Sequence, residues 1–311
     1  MAKKSSSISK NVTPKRLSTV QKKEVTAKSN HANNNLFASK LKLKLKQHYM
    51  KIAKTNTIVF ITGAFVSNSG WDEWKTYFES HGYSTLAPAW PFKDAPAATL
   101  RARQPNDTDL AHLTLAELTD HYAEIVKALP EKPIVIGHSL GGLITQILVN
   151  RDLVAAGVAI HSVPPKGIFP YEFSFIRAGW KALGFFTSLN KTYLMSFKDW
   201  QYAFVNQMPL EEQKEAYETY TIPESKRVTR GGLTNAAKVD FEKMHVPLLL
   251  TSGSIDHIIP AHLNFRNYKK YKHNGSILDY KEFPGRNHFV LGQPTWKEDA
   301  AFILKWINRL F

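Results

Sequence analysis

The chain has 311 residues, no cysteine and a formal charge of +15. The absence of cysteine excludes disulfides, thiolate metal ligands and a cysteine nucleophile, and fits a reducing compartment, so a cytoplasmic protein is expected. The charge does not imply nucleic-acid binding, because residues 1–54 hold 13 lysines and Arg16 against Glu24 alone, a net of +13 that leaves only +2 for the rest.

Residues 1–35 are rich in Ser, Thr, Lys and Asn and too poor in large apolar groups to bury a core, so a largely disordered tail is expected up to residue 54. The first residues lack the continuous apolar core of a secretory signal, and no stretch is long enough to span a bilayer. Leu36 to Ile52 reads two ways. Leu41, Leu43 and Leu45 alternate with lysines as in a half-exposed strand, yet Phe37, Leu41, Leu45, Tyr49 and Ile52 also fall near one helical face. Such a segment allows weak contact with an anionic membrane surface, against the plainer reading of a solvated tail with one element packed on the domain edge.

Residues 55–311 are ample for one α/β domain. Thr57 to Ile61 is an apolar strand, followed by the loop Thr62-Gly63-Ala64-Phe65-Val66-Ser67-Asn68-Ser69-Gly70-Trp71. Gly63 lets this backbone approach a neighbour closely, and the Ala64 N–H is the donor selected for an oxyanion, with Phe65 as the alternative. Phe65, and Trp90 in Ala87-Pro88-Ala89-Trp90-Pro91, are expected to close a substrate pocket from below.

The nucleophile that would require those donors lies in Gly137-His138-Ser139-Leu140-Gly141-Gly142. This string follows the apolar run Pro133 to Ile136 and opens a helical segment, Leu143 to Asn150. At a sharp strand-to-helix turn, glycines at 137 and 141 leave room for a strained residue between them, and Ser139 Oγ is pushed out above the strand edge. The Leu140 N–H would be the second oxyanion donor. His138 is expected to pack locally. His161, after the strand Val154 to Ile160, reads either as a pocket residue or as a satisfied structural histidine.

Between that strand and the next lie some 80 residues that a sheet does not need, and residues 169–220 carry 14 aromatics. A helical cap over about 164–244 is expected, with a helix at Leu210 to Tyr220 and an apolar pocket beneath it. The strand Val246 to Thr251 then leads into a loop with Asp256, where open α/β sheets build their sites. Ser276 to Phe283 leads into a loop with His288, flanked by Phe289, before a terminal helix from Trp296 to Leu310. A serine hydroxyl needs a base, and the base needs an orienting group. The roles assigned are Ser139 as nucleophile, His288 as general base and then acid, and Asp256 as the group that fixes the imidazolium. Phe289 and His161 join Phe65 and Trp90 as expected pocket residues.

With the elbow, the loop after the first strand and the Asp and His loops in this order, Thr57 to Phe311 resembles the α/β-hydrolase superfamily. Gly63-Ala64-Phe65-Val66-Ser67-Asn68, Ala87-Pro88-Ala89-Trp90-Pro91 and Asn287-His288-Phe289-Val290-Leu291-Gly292-Gln293-Pro294 are similar to a bacterial branch of hydrolases. Many relatives carry His-Gly where this chain has Thr62-Gly63. The resemblance implies a mostly parallel central sheet flanked by helices, with a helical cap insertion. It also implies a serine hydrolase acting through an acyl-enzyme on Ser139, with a small to medium apolar ester as substrate. Other reactions remain open on such a fold: a lyase or a cofactor-free haloperoxidase using the same residues, or a non-catalytic small-molecule receptor. Neither a phosphate-cradling loop nor a metal-ligand spacing occurs, so no cofactor and no metal are expected.

Overall fold

The computed structural model describes residues 55–311; the expectations for residues 1–54 lie outside the described residues. Six strands, β1 (Thr57–Ile61), β2 (Ser84–Leu86), β3 (Ile134–His138), β4 (Ala156–Ile160), β5 (Leu248–Gly253) and β6 (Leu278–Phe283), form one parallel sheet in the order β2-β1-β3-β4-β5-β6. Parallel strands need long crossovers, and helices supply them. In chain order these are α1 (Asp72–Glu79), α2 (Ala97–Arg103), α3 (Thr108–His112), α4 (Leu115–Lys127), α5 (Leu140–Asn150), α6 (Phe173–Leu183), α7 (Phe197–Ala203), α8 (Leu210–Tyr220), α9 (Lys226–Gly231), α10 (Ala261–Lys270) and α11 (Trp296–Asn308).

Alternate strand residues divide between two apolar layers, as the period of two requires. Ile58, Phe60, Ile134, Ile136, Val158 and Leu249 pack with Trp71, Trp74 and Phe78 around α1 and with Trp296, Ile303 and Ile307 of α11. On the opposite face, Val59, Ile61, Val135, Leu248 and Leu250 meet Leu118 and Tyr122 of α4 and Leu143 and Ile147 of α5. Both faces of the sheet are thus covered, which is why β3 and β4 are buried at every position.

Helix ends follow local chemistry. Thr114 and Glu117 form a reciprocal capping box at the start of α4, and the hydroxyls of Ser196 and Ser225 accept backbone N–H groups at the starts of α7 and α9. Helices α6 to α9 all fall between β4 and β5, and α8 has the bounds expected from the sequence. Among the described residues, no helix is long and apolar enough to cross a membrane.

Candidate active site

The carboxyl ends of β1, β3, β4, β5 and β6 converge, and three of the loops that leave them carry a non-glycine residue at positive φ. These are Phe65 (69°), Ser139 (56°) and His161 (44°). Such conformations cost of order 1–3 kcal/mol each and persist only where the surroundings impose them. At Ser139 the cause is the reversal from β3 into α5, with φ 56° and ψ −116°. The turn is tight enough that a Cβ on Gly141 would lie 2.1 Å from Ile61 O, so only glycine lets α5 start against β1. A Cβ on Gly63 would lie 2.7 Å from Ser139 Cβ, so the β1 loop reaches the serine for the same reason.

These loops bring Ser139, His288 and Asp256 into one hydrogen-bonded line. His288 Nε2 is 2.9 Å from Ser139 Oγ, and His288 Nδ1 is 2.7 Å from Asp256 Oδ2. All three residues are buried. The other carboxylate oxygen, Asp256 Oδ1, accepts the backbone N–H groups of Ile258 and Ile259, each at 2.8 Å. Burial opposes ionisation of Asp256, but the charges and hydrogen bonds of His288 and His161 outweigh it and hold the carboxyl well below the usual range. Asp256 therefore stays an anion that accepts from both rings.

His161, read either as a pocket residue or as a structural histidine, is not among the residues that line the cavity. It is fully buried behind Asp256, and its Nδ1 lies 2.9 Å from the same Oδ2 that His288 uses. Among the described residues, His161, Asp256 and His288 form a group in which a ring nitrogen of each histidine and a carboxylate oxygen of Asp256 all lie within 4.8 Å of one another. Both Nδ1 atoms address one carboxylate oxygen at N–H···O distances, which is the geometry of two imidazoles donating to an anion. His138 stacks obliquely on His288, with ring centroids 4.8 Å apart, and burial followed by the charges of His288 and His161 keeps it neutral.

The Ala64 and Leu140 N–H groups both border a cavity of about 820 Å³ that Ser139 also lines, and among the described residues neither has a protein acceptor. The Phe65 N–H, the alternative donor, is already committed: it donates to Glu224 Oε2 at 3.2 Å. Glu224, from the segment before α9, also pairs with Lys93, and both side chains are almost fully buried. The Lys93 ammonium sits 3.7 Å over the Trp90 ring, and Trp90 Nε1 donates to Thr62 O at 3.1 Å. Trp90, expected to close the pocket from below, instead braces the β1 loop and is not among the residues that line the cavity. Backbone bonds complete the clamp, from Ser67 N to Tyr220 O and from Ile222 N to Phe65 O.

The cavity walls come from Phe65 on the sheet side and from α6 and its flanking loops, including Phe175, Ile176, Trp180 and Leu183. Phe289 is elsewhere. Its ring packs on Trp200 and Tyr220 and borders a separate cavity of about 230 Å³ beside His138. The backbone turned Phe289 away: its N–H donates to Phe204 O and to Asn287 Oδ1, which fixes the loop that presents His288.

A family model described as "Alpha/beta hydrolase family" matches residues 58–298. The chain belongs to the alpha/beta hydrolase family. No curated protein sequence matches this hydrolase. Among solved structures, it is similar to a monoacylglycerol lipase of Paleococcus ferrophilus (21% identity, TM-score 0.60, covering 82% of this chain and 95% of that one). It is also similar to a methylesterase from Arabidopsis (15%, 0.57, 81% and 98%) and a pyrethroid hydrolase from Sphingobium faniae (17%, 0.57, 82% and 98%). At these identities the likeness carries the hydrolase fold alone.

Three residues that position the hydrolase's central loops were missed in the sequence. Nothing local announces Glu224 and Lys93 as a pair, since they lie 131 residues apart. Asn206 joins the two loops: its Nδ2 donates to Ile255 O at 2.8 Å, and its own carbonyl accepts from Asn287 Nδ2 at 3.0 Å. The one available signal was Asn206-Gln207, two amides set between apolar Phe204-Val205 and Met208-Pro209.

Proposed function

We propose that the protein is a serine hydrolase that cleaves a carboxylic ester with an apolar acyl or alcohol part. The observation that carries this is the buried line Ser139–His288–Asp256 opening on an apolar cavity, with two unoccupied N–H groups beside the serine. In this reading His288 takes the proton of Ser139 Oγ as the oxygen attacks the ester carbonyl. The carbonyl oxygen becomes an anion facing the Ala64 and Leu140 N–H groups, whose orientation is fixed before the substrate arrives. His288 then passes its proton to the leaving alcohol. Water deprotonated by His288 attacks the acyl-enzyme, and collapse of the second tetrahedral species frees Ser139. Asp256 holds the Nδ1–H tautomer and stabilises the imidazolium without taking the proton, consistent with its lowered pKa.

Helices α6 to α9 and their loops act in this account as a cap that shapes the cavity, because Phe175, Trp180 and Leu183 line the same cavity as Ser139. A cavity of about 820 Å³ lies in the upper part of the range for sites that enclose a drug-sized ligand, and its aromatic walls favour an apolar chain over a charged one. Turnover of p-nitrophenyl esters of graded acyl length tests the reading. Hydrolysis that rises from acetate to medium-chain esters and disappears in Ser139→Ala is expected. Equal turnover by Ser139→Ala would refute it.

A further inference from the structure

Around the mouth of the large cavity the protein exposes apolar side chains that a soluble surface normally hides. Phe169, Tyr171, Ile176, Trp180, Phe185 and Leu233 line the cavity and are at the same time exposed to solvent, so its entrance is itself apolar. Phe173 (75% exposed) and Phe186 (88%) extend this rim outward without lining the cavity. Phe173, Ile176 and Trp180 stand at i, i+3 and i+7 on α6, a stripe on one helix face. With about 150–250 Å² per aromatic side chain, the exposed rim amounts to several hundred Å², as large as the biggest patch expected on a monomer.

The charge beside the rim is predominantly positive, the carboxylate of Asp199 being taken up by Lys181 of α6. Lys166, Lys191, Arg227 and Arg230 lie in the loops and helices around the rim, and among the described residues none of these four has a carboxylate within 4 Å. Of the two acids in residues 163–199, Asp199 pairs with Lys181, and Glu172 is buried and held by Arg266 and His262. Burial first, then the charges of Arg230 and Lys191, push the Lys226 ammonium below its usual range, as expected where cations crowd. An apolar rim inside a cationic border is complementary to an anionic lipid surface, with rings entering the acyl boundary and cations facing the headgroups. A face meant for a second copy of this chain would place those like charges against one another.

We propose that the rim around α6 docks on the surface of an anionic bilayer, so that the cavity opens into the lipid and takes its substrate from there. The delivery of substrate rests on the hydrolase reading above; the docking does not. The test is flotation of the full chain with phosphatidylcholine vesicles and with vesicles containing phosphatidylserine, for the native sequence and for the pair Phe173→Ser and Phe186→Ser. The native protein should float with the anionic vesicles, less with the neutral ones, and less as salt rises. The double variant should bind about ten-fold more weakly or worse, with unchanged thermal stability and unchanged turnover of a water-soluble short-chain ester. Ser139→Ala should float like the native protein, which separates failure of the docking from failure of the hydrolase reading. Equal flotation of the double variant would overturn the proposal, since the basic residues 1–54 would then carry the binding. So would failure of the native chain to bind either vesicle, or a native dimer that the double variant turns into a monomer without any change in flotation.

Discussion

Lys93 and Glu224 offer a perturbation that separates stability from activity. Their side chains are 3% and 1% exposed, and the carboxylate has three tasks: it neutralises the ammonium, accepts the Phe65 N–H in the loop beside Ser139 and accepts the Ser225 N–H. Glu224→Ala leaves a buried cation and takes the carboxylate acceptor from the Phe65 and Ser225 N–H groups. Breaking such a pair from one side costs about 3–5 kcal/mol. Against a total stability of roughly 5–15 kcal/mol, and at about 2–4 °C per kcal/mol for a domain of this size, the melting temperature should fall by roughly 10 °C. Replacing both residues by methionine removes the charge and fills similar volume, and buried pairs exchanged this way are often neutral in stability. The double variant should therefore recover the part of the melting temperature lost to the unpaired charge, but not the part lost with the acceptor of the Phe65 and Ser225 N–H groups. Its activity should not recover, because the loop that carries the Ala64 N–H has still lost its acceptor and the cation over Trp90. Losing an oxyanion donor outright costs about 100- to 1000-fold in kcat, so a loosened donor should cost about ten-fold or more with little change in KM. Calorimetry and steady-state kinetics on the single and double variants decide the matter. A stable double variant with native kcat would refute the claim that Glu224 holds the oxyanion loop.

Asp256→Asn should lower kcat by about 10⁴-fold while leaving the fold intact, because the amide presents the wrong partner to His288 Nδ1–H; kinetics at constant melting temperature would check it. Because the folded carboxyl of Asp256 titrates below its unfolded value, its stabilisation is complete above the unfolded pKa near 4 and is lost as pH falls through the lower folded value. The acid limb of a stability-versus-pH curve should accordingly be shallower in Asp256→Asn. His161→Phe removes one of the two imidazoles on Asp256 while leaving the line to Ser139 in place, so kcat should fall about ten-fold or less, far short of the loss on removing Asp256. Gly141→Ala should abolish soluble expression or destabilise by several kcal/mol, since its Cβ would meet Ile61 O at 2.1 Å, a backbone atom of the central sheet. A variant with native stability would contradict the close packing of α5 on β1.

The parts that could be read from the sequence were those set by local rules. Apolar runs ending in loops gave β1, β3, β4 and β5 within a few residues, and the small residues around Ser139 announced the reversal that the positive φ at 139 records. Ser139, Asp256 and His288 could be chosen because each sits just beyond a strand end, and the fold brings such ends together. What stayed hidden depended on long-range partners. Trp90 and Phe289 are aromatic and lie near the right loops, but Trp90 is drawn to Thr62 O and Lys93, and the Phe204 carbonyl holds the backbone that turns Phe289 aside. The second imidazole on Asp256 was equally out of reach, because His161 comes from a strand whose loop gives no sign of which neighbour it will face. The insertion's helices were legible by composition, whereas its apolar outer rim became visible only once the exposure of each ring was known.

The central claim is that Ser139 is a nucleophile activated by His288. Incubation of the native chain with a fluorophosphonate probe, followed by mass spectrometry of the peptide carrying Ser139, tests it most directly. The account predicts a covalent adduct on Ser139, absent in Ser139→Ala and much slower to form in His288→Ala. A native protein that stays unlabelled, or a label on another residue that persists in Ser139→Ala, would contradict it.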